Sequence, residues 1–376
     1  MRRTLCTAVL ILASLFHSAP AGAQVFTNKE VGKTGRAIAD SLSHTPYPYV
    51  LPIWGAKAQK LGFTLPLPAG LSVQYFGQRS DIVIENLMVG FNNGPLYNLD
   101  GLVRFDETRA SSDGLSLRPD VWVFPFLNVY GIFGYSSAST KVDYGIWLPD
   151  SSGNEHKVVS LSSKVDFNAT TFGFGLTPTL GVGGGWMAFD MNFTWTDVPQ
   201  LDKPASAFVF DPRMGKSFRL GRPDQNVNVW VGGFRLKINT GTTGSIPLSE
   251  VLPVDQWQSG IQQGIDQVAK LNAEVDAWWN SLTPEQQANP VNRARYDTSK
   301  AALARAGSAL SGAQTAVGNA ASSTVQYSID KRPADMWNFM VGGQFQLSKM
   351  WMFRAEVGFL GSRTHAIAGA QYRFGF

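Results

Sequence analysis

The chain closes on Gln371-Tyr372-Arg373-Phe374-Gly375-Phe376, and this stretch decides the fold. Stepping back by twos from the end collects Phe376, Phe374, Tyr372, Ala370 and Ala368. The interleaved residues are Gly375, Arg373, Gln371 and Gly369. Successive side chains of a strand point to opposite faces, so one face here is aromatic and apolar and the other polar or small. Such a strand suits a sheet with hydrocarbon on one side and water or polar side chains on the other. In hydrocarbon it also needs a paired edge, because each unsatisfied backbone group there costs several kcal/mol. A closed transmembrane β-barrel meets both conditions.

The same alternation recurs upstream. Met187, Phe189, Met191, Phe193 and Trp195 oppose Trp186, Asp190, Asn192 and Thr194. Trp337, Phe339, Val341, Phe345 and Leu347 oppose Asn338, Gln344 and Gln346; Trp351, Phe353, Ala355, Val357 and Phe359 oppose Arg354, Glu356 and Gly358. Period-two runs place strands at 71–91, 102–124, 127–148, 156–177, 183–197, 206–221, 227–241, 335–347, 350–361 and 365–376. The expected fold is all-β: a transmembrane antiparallel barrel of about ten strands. Twelve is the alternative, because Ser80-Asp81 and Pro119 interrupt the first two strands.

A last strand with Tyr372, Phe374 and a terminal Phe376 resembles the C-terminal signature of Gram-negative bacterial outer-membrane β-barrel proteins. That resemblance implies an integral outer-membrane protein in contact with membrane lipid and lipopolysaccharide, whose Tyr372, Phe374 and Phe376 are read by the barrel-assembly machinery. It also implies that the final strand ends in the periplasm. The superclass includes porin-like channels, adhesins and enzymes, so it leaves function open.

The other end agrees with export. Arg2 and Arg3, the apolar run Ala8 to Phe16, and Ala21-Gly22-Ala23 read as a signal peptide over residues 1–23. Its removal takes away Cys6, the single cysteine, and with it any disulfide or thiolate chemistry. The formal charge falls from +4 to +2 without Arg2 and Arg3, and no basic face is concentrated enough for nucleic acid. Charged residues are 16% of the chain, below the roughly 25% of soluble proteins. No later stretch reaches the roughly 18 consecutive apolar residues of a spanning helix.

Residues 24–69 show no strand alternation. Lys33 to Ser43 read as a short helix, and Pro46, Pro48, Pro52, Pro66 and Pro68 keep the remainder extended. This segment is expected in the periplasm or the lumen, and residues 70–376 form the barrel. Between strands seven and eight, Trp257, Ile261, Ile265, Val268, Leu271, Val275, Trp278 and Leu282 follow a helical stripe. Tyr296, Leu303, Leu310 and Val317 then share a heptad seam. An α-helical hairpin is therefore expected over 250–330, on the extracellular side by strand phase. Its stripe is either buried between its own helices or offered to a surface partner. Trp257, Trp278 and Trp279 are the candidate partner surface, since adjacent tryptophans cannot both face a narrow seam.

Constellations for chemistry are sparse. His156 and His365 are expected near outer loops, and neither sits in a Ser-His arrangement typical of a hydrolase. Gly32-Lys33-Thr34 lacks the rest of a phosphate loop, and Gly181 to Trp186 lacks the last glycine of a dinucleotide fingerprint. Asp143, Asp150 and Glu155 lack the spacing of a Ca²⁺ loop. No catalytic residue, metal or cofactor is expected. The remaining candidate is the lumen. With aromatic faces toward lipid, the lumen-lining set is Asp190, Asn192, Arg235, Lys237, Gln344, Arg354, Glu356, Gln371 and Arg373. These charges either pair and plug the barrel or line a selective path. The leading expectation is a passive channel or transporter for small or hydrophobic solutes, occluded by the N-terminal segment. A surface interaction protein displaying the hairpin and a membrane-embedded hydrolase are the alternatives.

Overall fold

The computed structural model describes residues 32–376 except 151, 153, 183–184, 200, 223, 239–241, 249–253 and 320–321. The expected signal peptide at 1–23 lies outside the described residues. Ten antiparallel strands close a barrel: β1 (Ala69–Phe91), β3 (Val103–Phe124), β4 (Leu127–Pro149), β5 (Glu155–Val182), β6 (Gly185–Asp197), β7 (Ala205–Arg219), β8 (Asn226–Ile238), β11 (Trp337–Gln346), β12 (Trp351–Phe359) and β13 (Arg363–Phe374). Closure runs from Ala69 opposite Phe374 to Ser80 opposite Arg363. The other edge of β1 pairs with β3 from Ala69–Val121 to Asp81–Arg109. No barrel strand keeps a free edge over this stretch, as hydrocarbon requires.

Turns at one rim are tight, as at Phe124 to Leu127 and Gln346 to Trp351. The rim that receives the C-terminus is called lower here. The long connections all lie at the upper rim. No described helix is long and apolar enough to cross a membrane.

Side-chain polarity along the strands inverts part-way up. In the lower barrel the outward residues are apolar and exposed, including Leu71 and Val73 of β1, Leu115 and Leu117 of β3, Phe133 of β4, and Phe172 and Phe174 of β5. Phe133 is 56% exposed although it is aromatic, which water would penalise and acyl chains do not. The band spans about nine residues per strand, the length a tilted strand needs to cross. Above Tyr75, Leu115 and Tyr135 the outward residues become polar, such as Asn168, Asp166, Lys164 and Ser162 of β5. The inward ones become apolar: Ala169, Phe167 and Val165. The strands thus leave the hydrocarbon and continue as a water-facing sheet with an oily interior.

Above Asp81, β1 exchanges its barrel neighbours for β10 (Thr324–Pro333), with Ile82 opposite Pro333 and Phe91 opposite Val325. Two short strands, β2 (Tyr97–Asn98) and β9 (Thr242–Pro247), extend this upper sheet. The expected helical insert at 250–330 is therefore shorter than its range, since Val325, Tyr327 and Ile329 alternate as a strand. Its helices are α3 (Val254–Ser281), α4 (Pro284–Ala288) and α5 (Pro290–Gly318), after α1 (Gly32–Ser43) and α2 (Gly55–Lys60) near the N-terminus. Thr283 caps α4 in a capping box with Gln286, ahead of Pro284 at the first helical position. The seam Leu303, Leu310 and Val317 is buried. It packs partly on α3 through Ile261, Leu271 and Val275 and partly on the barrel extension through Leu102, Leu148 and Phe91. The hairpin is laid over the upper mouth rather than standing free.

Candidate functional site: the barrel lumen

Inward-facing positions up to the height of Ser80 hold three stacked tiers. The lowest is built on Asp120, which follows outward Leu115, Leu117 and Pro119 by strand parity. It ion-pairs with Arg373 at 2.9 Å, accepts from Asn128 Nδ2 at 2.8 Å, and accepts from Gln371 Nε2. Arg373 Nε also donates to the Leu67 carbonyl at 2.9 Å, tying the N-terminal segment to the wall.

The middle tier is the most heavily charged. Asp190 on β6 and Asp211 on β7 are direct cross-strand partners. Arg213 lies between them, bridging to Asp190 and to Asp211 at 3.6 Å, and reaching Glu356 at 3.9 Å. Glu356 is 2% exposed; it pairs with Arg354 at 2.8 Å and accepts from Trp230 Nε1 at 3.0 Å. The guanidiniums of Arg213 and Arg354 lie 5.7 Å and 5.2 Å from the Trp230 ring. This indole fits because residue 342 opposite is glycine: a Cβ there would stand 2.4 Å from the ring. Tyr130 donates to Asn192 Oδ1 at 2.7 Å and carries Arg118 at 5.8 Å over its ring. Burying such charges is costly unless each finds partners, and here each is met by an opposite charge, a ring or a polar group.

The upper tier joins His365, Asn338, Phe234 and Arg363. His365 Nε2 stands 3.9 Å from Glu356 Oε1 and its ring 4.4 Å from Phe234. Arg363 donates to the carbonyls of Phe234 and Met336, both at 3.2 Å.

Two cavities flank these tiers. The lower one, about 930 Å³, is lined by lumen residues and by the N-terminal segment through Tyr47, Tyr49, Leu65 and Leu67. Tyr49 closes on Gly375, where a Cβ would fall 2.1 Å from its ring. Trp54 stacks near Phe124 and Phe126 of the lower β3–β4 turn, and Ile53 N donates to Val123 O at 2.9 Å. Tyr47 donates to Leu51 O at 2.7 Å; burial first, then Tyr49, pushes its pKa up to about 12. The upper cavity, about 460 Å³, is walled by Ile82, Ile84, Phe105, Val142, Phe167 and Ile329 and roofed by Ile261 and Leu310 of the hairpin.

Of the residues singled out in sequence, Asp190, Asn192, Gln344, Arg354, Glu356, Gln371 and Arg373 face the lumen. Arg235 and Lys237 do not. Arg235 is opposite outward Trp337 and Phe210, and Trp230, Phe234 and Leu236 take the inward parity of β8. On β8 the inward parity at that height belongs to Phe234 and Leu236, so the two cations face the band's upper margin, where long basic side chains reach water. Tyr372 and Phe374 point outward and Phe376 is 59% exposed. The side chain of Trp257 lies outside the described residues. Trp278 and Trp279 do not form a bare patch: Arg295 lies 4.5 Å over the first ring, and Tyr296 stacks on the second at 4.5 Å. His365 belongs to the lumen rather than to an outer loop. His156 is at the upper end of β5, 2.9 Å from Asp150. Asp143 and Glu155 go separately to Lys141 and Arg104. Sequence reasoning missed Asp120, Asp211, Arg213, Trp230 and Arg363. The run Phe210-Asp211-Pro212-Arg213-Met214 carried the same parity signal as Arg354 and Glu356.

No protein-family model and no curated protein matches the chain. Among solved structures it is similar to the translocator domain of autotransporter NalP from Neisseria meningitidis, at 11% identity over 90% of this chain and 93% of that one, TM-score 0.31. It is also similar to an outer membrane channel from Pseudomonas putida F1, at 10% identity over 83% and 97%, TM-score 0.27. A third is the Ralstonia pickettii toluene transporter TbuX, at 10% identity over 92% and 99%, TM-score 0.23. At such scores the likenesses carry no argument, and the barrel stands on its own strand pairing.

Proposed function

We propose that the chain is a passive channel of the bacterial outer membrane for small apolar or amphiphilic solutes. The lower rim lies in the periplasm, where the N-terminal segment occludes it, and the hairpin roofs the extracellular mouth. The observation that carries this reading is the succession along one lumen: an oily upper cavity, a charged constriction, and a lower cavity part-filled by residues 45–49 and 64–67. A barrel that served only as a membrane anchor needs no graded interior, and ten strands leave slightly more room than the roughly eight whose side chains fill the bore. In the same reading Tyr372, Phe374 and Phe376 engage the barrel-assembly machinery, and the outward aromatic band meets outer-membrane lipid, including lipopolysaccharide. The test is ion conductance in planar bilayers, comparing the mature chain with a variant lacking residues 24–69. The variant is expected to conduct severalfold more. Equal silence from both, with the variant folded by its gel mobility, would refute the channel.

A further inference from the structure

One cation in the upper cavity is left over by everything described so far. Lys331 on β10 stands opposite Ile84 of β1, and the shared parity of Ile82, Ile84, Ile329 and Lys331 turns its side chain into the cavity. The neighbouring charges belong elsewhere. Arg332 pairs with Glu85 at 2.9 Å, and Asp330 accepts from Asn86. Lys331 makes no hydrogen bond or ion pair with a described residue. Burial lowers its pKa, and no neighbouring charge offsets that. An ammonium without a counter-ion in an apolar pocket costs free energy that the fold itself does not recover.

A ligand recovers it if it brings one anionic oxygen pair on an oily body. The volume of about 460 Å³ lies within the roughly 300–1,000 Å³ of small-molecule sites. Of the two cations in the mostly apolar lining, Arg332 is held by Glu85, which leaves Lys331 as the charge that selects a single charged head. Directly below is a second cation with spare capacity. Arg363 is opposite Ser80, four residues along β1 from Ile84, or about 13 Å at strand rise. Its Nε and Nη1 carry no hydrogen bond.

We propose that the upper cavity binds apolar monocarboxylates, with the tail under the hairpin and the carboxylate on Lys331, and that Arg363 is the next anion contact on the way down. The binding site stands on this geometry alone, while the onward passage to Arg363 rests on the channel reading.

The experiment uses the mature full chain in lipid nanodiscs, with radiolabelled dodecanoate and dodecanol measured against empty nanodiscs. One saturable dodecanoate site is expected. Lys331→Met should weaken it roughly 10- to 100-fold, the worth of a charge-assisted hydrogen bond. Lys331→Arg should keep it within a few-fold, and dodecanol binding should not respond to either change. Gel mobility and tryptophan fluorescence report whether each variant is folded. No saturable binding by the wild type, or equal dodecanoate binding by the wild type and a folded Lys331→Met, overturns the proposal. A chain that conducts but binds without regard to Lys331 refutes this site and leaves the channel. Lys331-dependent binding in a chain that conducts nothing after removal of residues 24–69 refutes the channel and leaves the site.

Discussion

Replacing Arg213 by methionine keeps a long side chain and removes the charge that three carboxylates share. Asp190 and Asp211 are direct cross-strand partners, so their carboxylates lie about 5 Å apart once the guanidinium is gone. At an effective dielectric of about 20, that repulsion is about 3 kcal/mol. This is at the lower end of the roughly 3–5 kcal/mol cost of breaking a buried pair from one side. Asp190 keeps the Thr177 hydroxyl and Glu356 keeps Arg354, so the loss falls mainly on Asp211, whose one ion-pair partner among the described residues is Arg213. Reversible urea unfolding of the refolded barrel in vesicles, followed by tryptophan fluorescence, reads the difference. Arg213→Met should lose about 3 kcal/mol, and the double variant with Asp211→Asn should regain most of it, because the stranded charge is removed too. A single variant within about 0.5 kcal/mol of wild type, or a double variant no better than the single, would refute the claim that Arg213 holds this tier together.

Two further outcomes follow from the polarity switch and the N-terminal segment. Val357 is 48% exposed in the outward apolar band, so Val357→Arg should cost about 2–4 kcal/mol in vesicle unfolding. Asp166→Arg, outward on the upper part of β5, should stay within about 0.5 kcal/mol; equal costs would mean the hydrocarbon boundary is misplaced. Tyr47 has its folded pKa raised to about 12, so its contribution to docking is fully present below the ordinary value near 10 and lost as pH rises through 12. Alkaline titration should therefore expose residues 44–68 to protease between about pH 10 and 12, and Tyr47→Phe should abolish that step; release below pH 9 would contradict it.

The sequence made the barrel legible because hydrocarbon imposes a stringent pattern. All ten expected strands begin within two residues of the observed ones, and β6 to β8 and β11 to β13 could be read almost residue by residue. The rule that read them, apolar out and polar in, holds only inside the membrane. It failed for Arg235 and Lys237, because β8 turns Phe234 and Leu236 inward there, and it could not foresee the oily vestibule lined by Phe105, Val142 and Phe167. The partners of Arg213 and Asp120 are set by register between strands, which period-two counting does not contain. The hairpin's buried seam was visible as a heptad, but that half of its cover comes from Leu102, Leu148 and Phe91 was not, because those residues are distant in sequence. Trp278 and Trp279 looked available for the same reason; Arg295 and Tyr296 reach them only once the helices fold back.

Four adjoining strands, β1, β3, β4 and β5, are far longer than a bilayer asks, while β11, β12 and β13 have 10, 9 and 12 residues. β4 has 23 residues and β5 has 28, against the roughly 9–11 that suffice to cross. On that side of the barrel the surplus of a dozen or more, at about 3.3 Å per residue and a tilt near 40°, raises the wall some 30 Å beyond the acyl layer. In the proposed orientation the barrel carries a one-sided chimney wall. Under the proposed function, that raised wall would hold the mouth above the sugar coat and offer greasy molecules a dry passage through it.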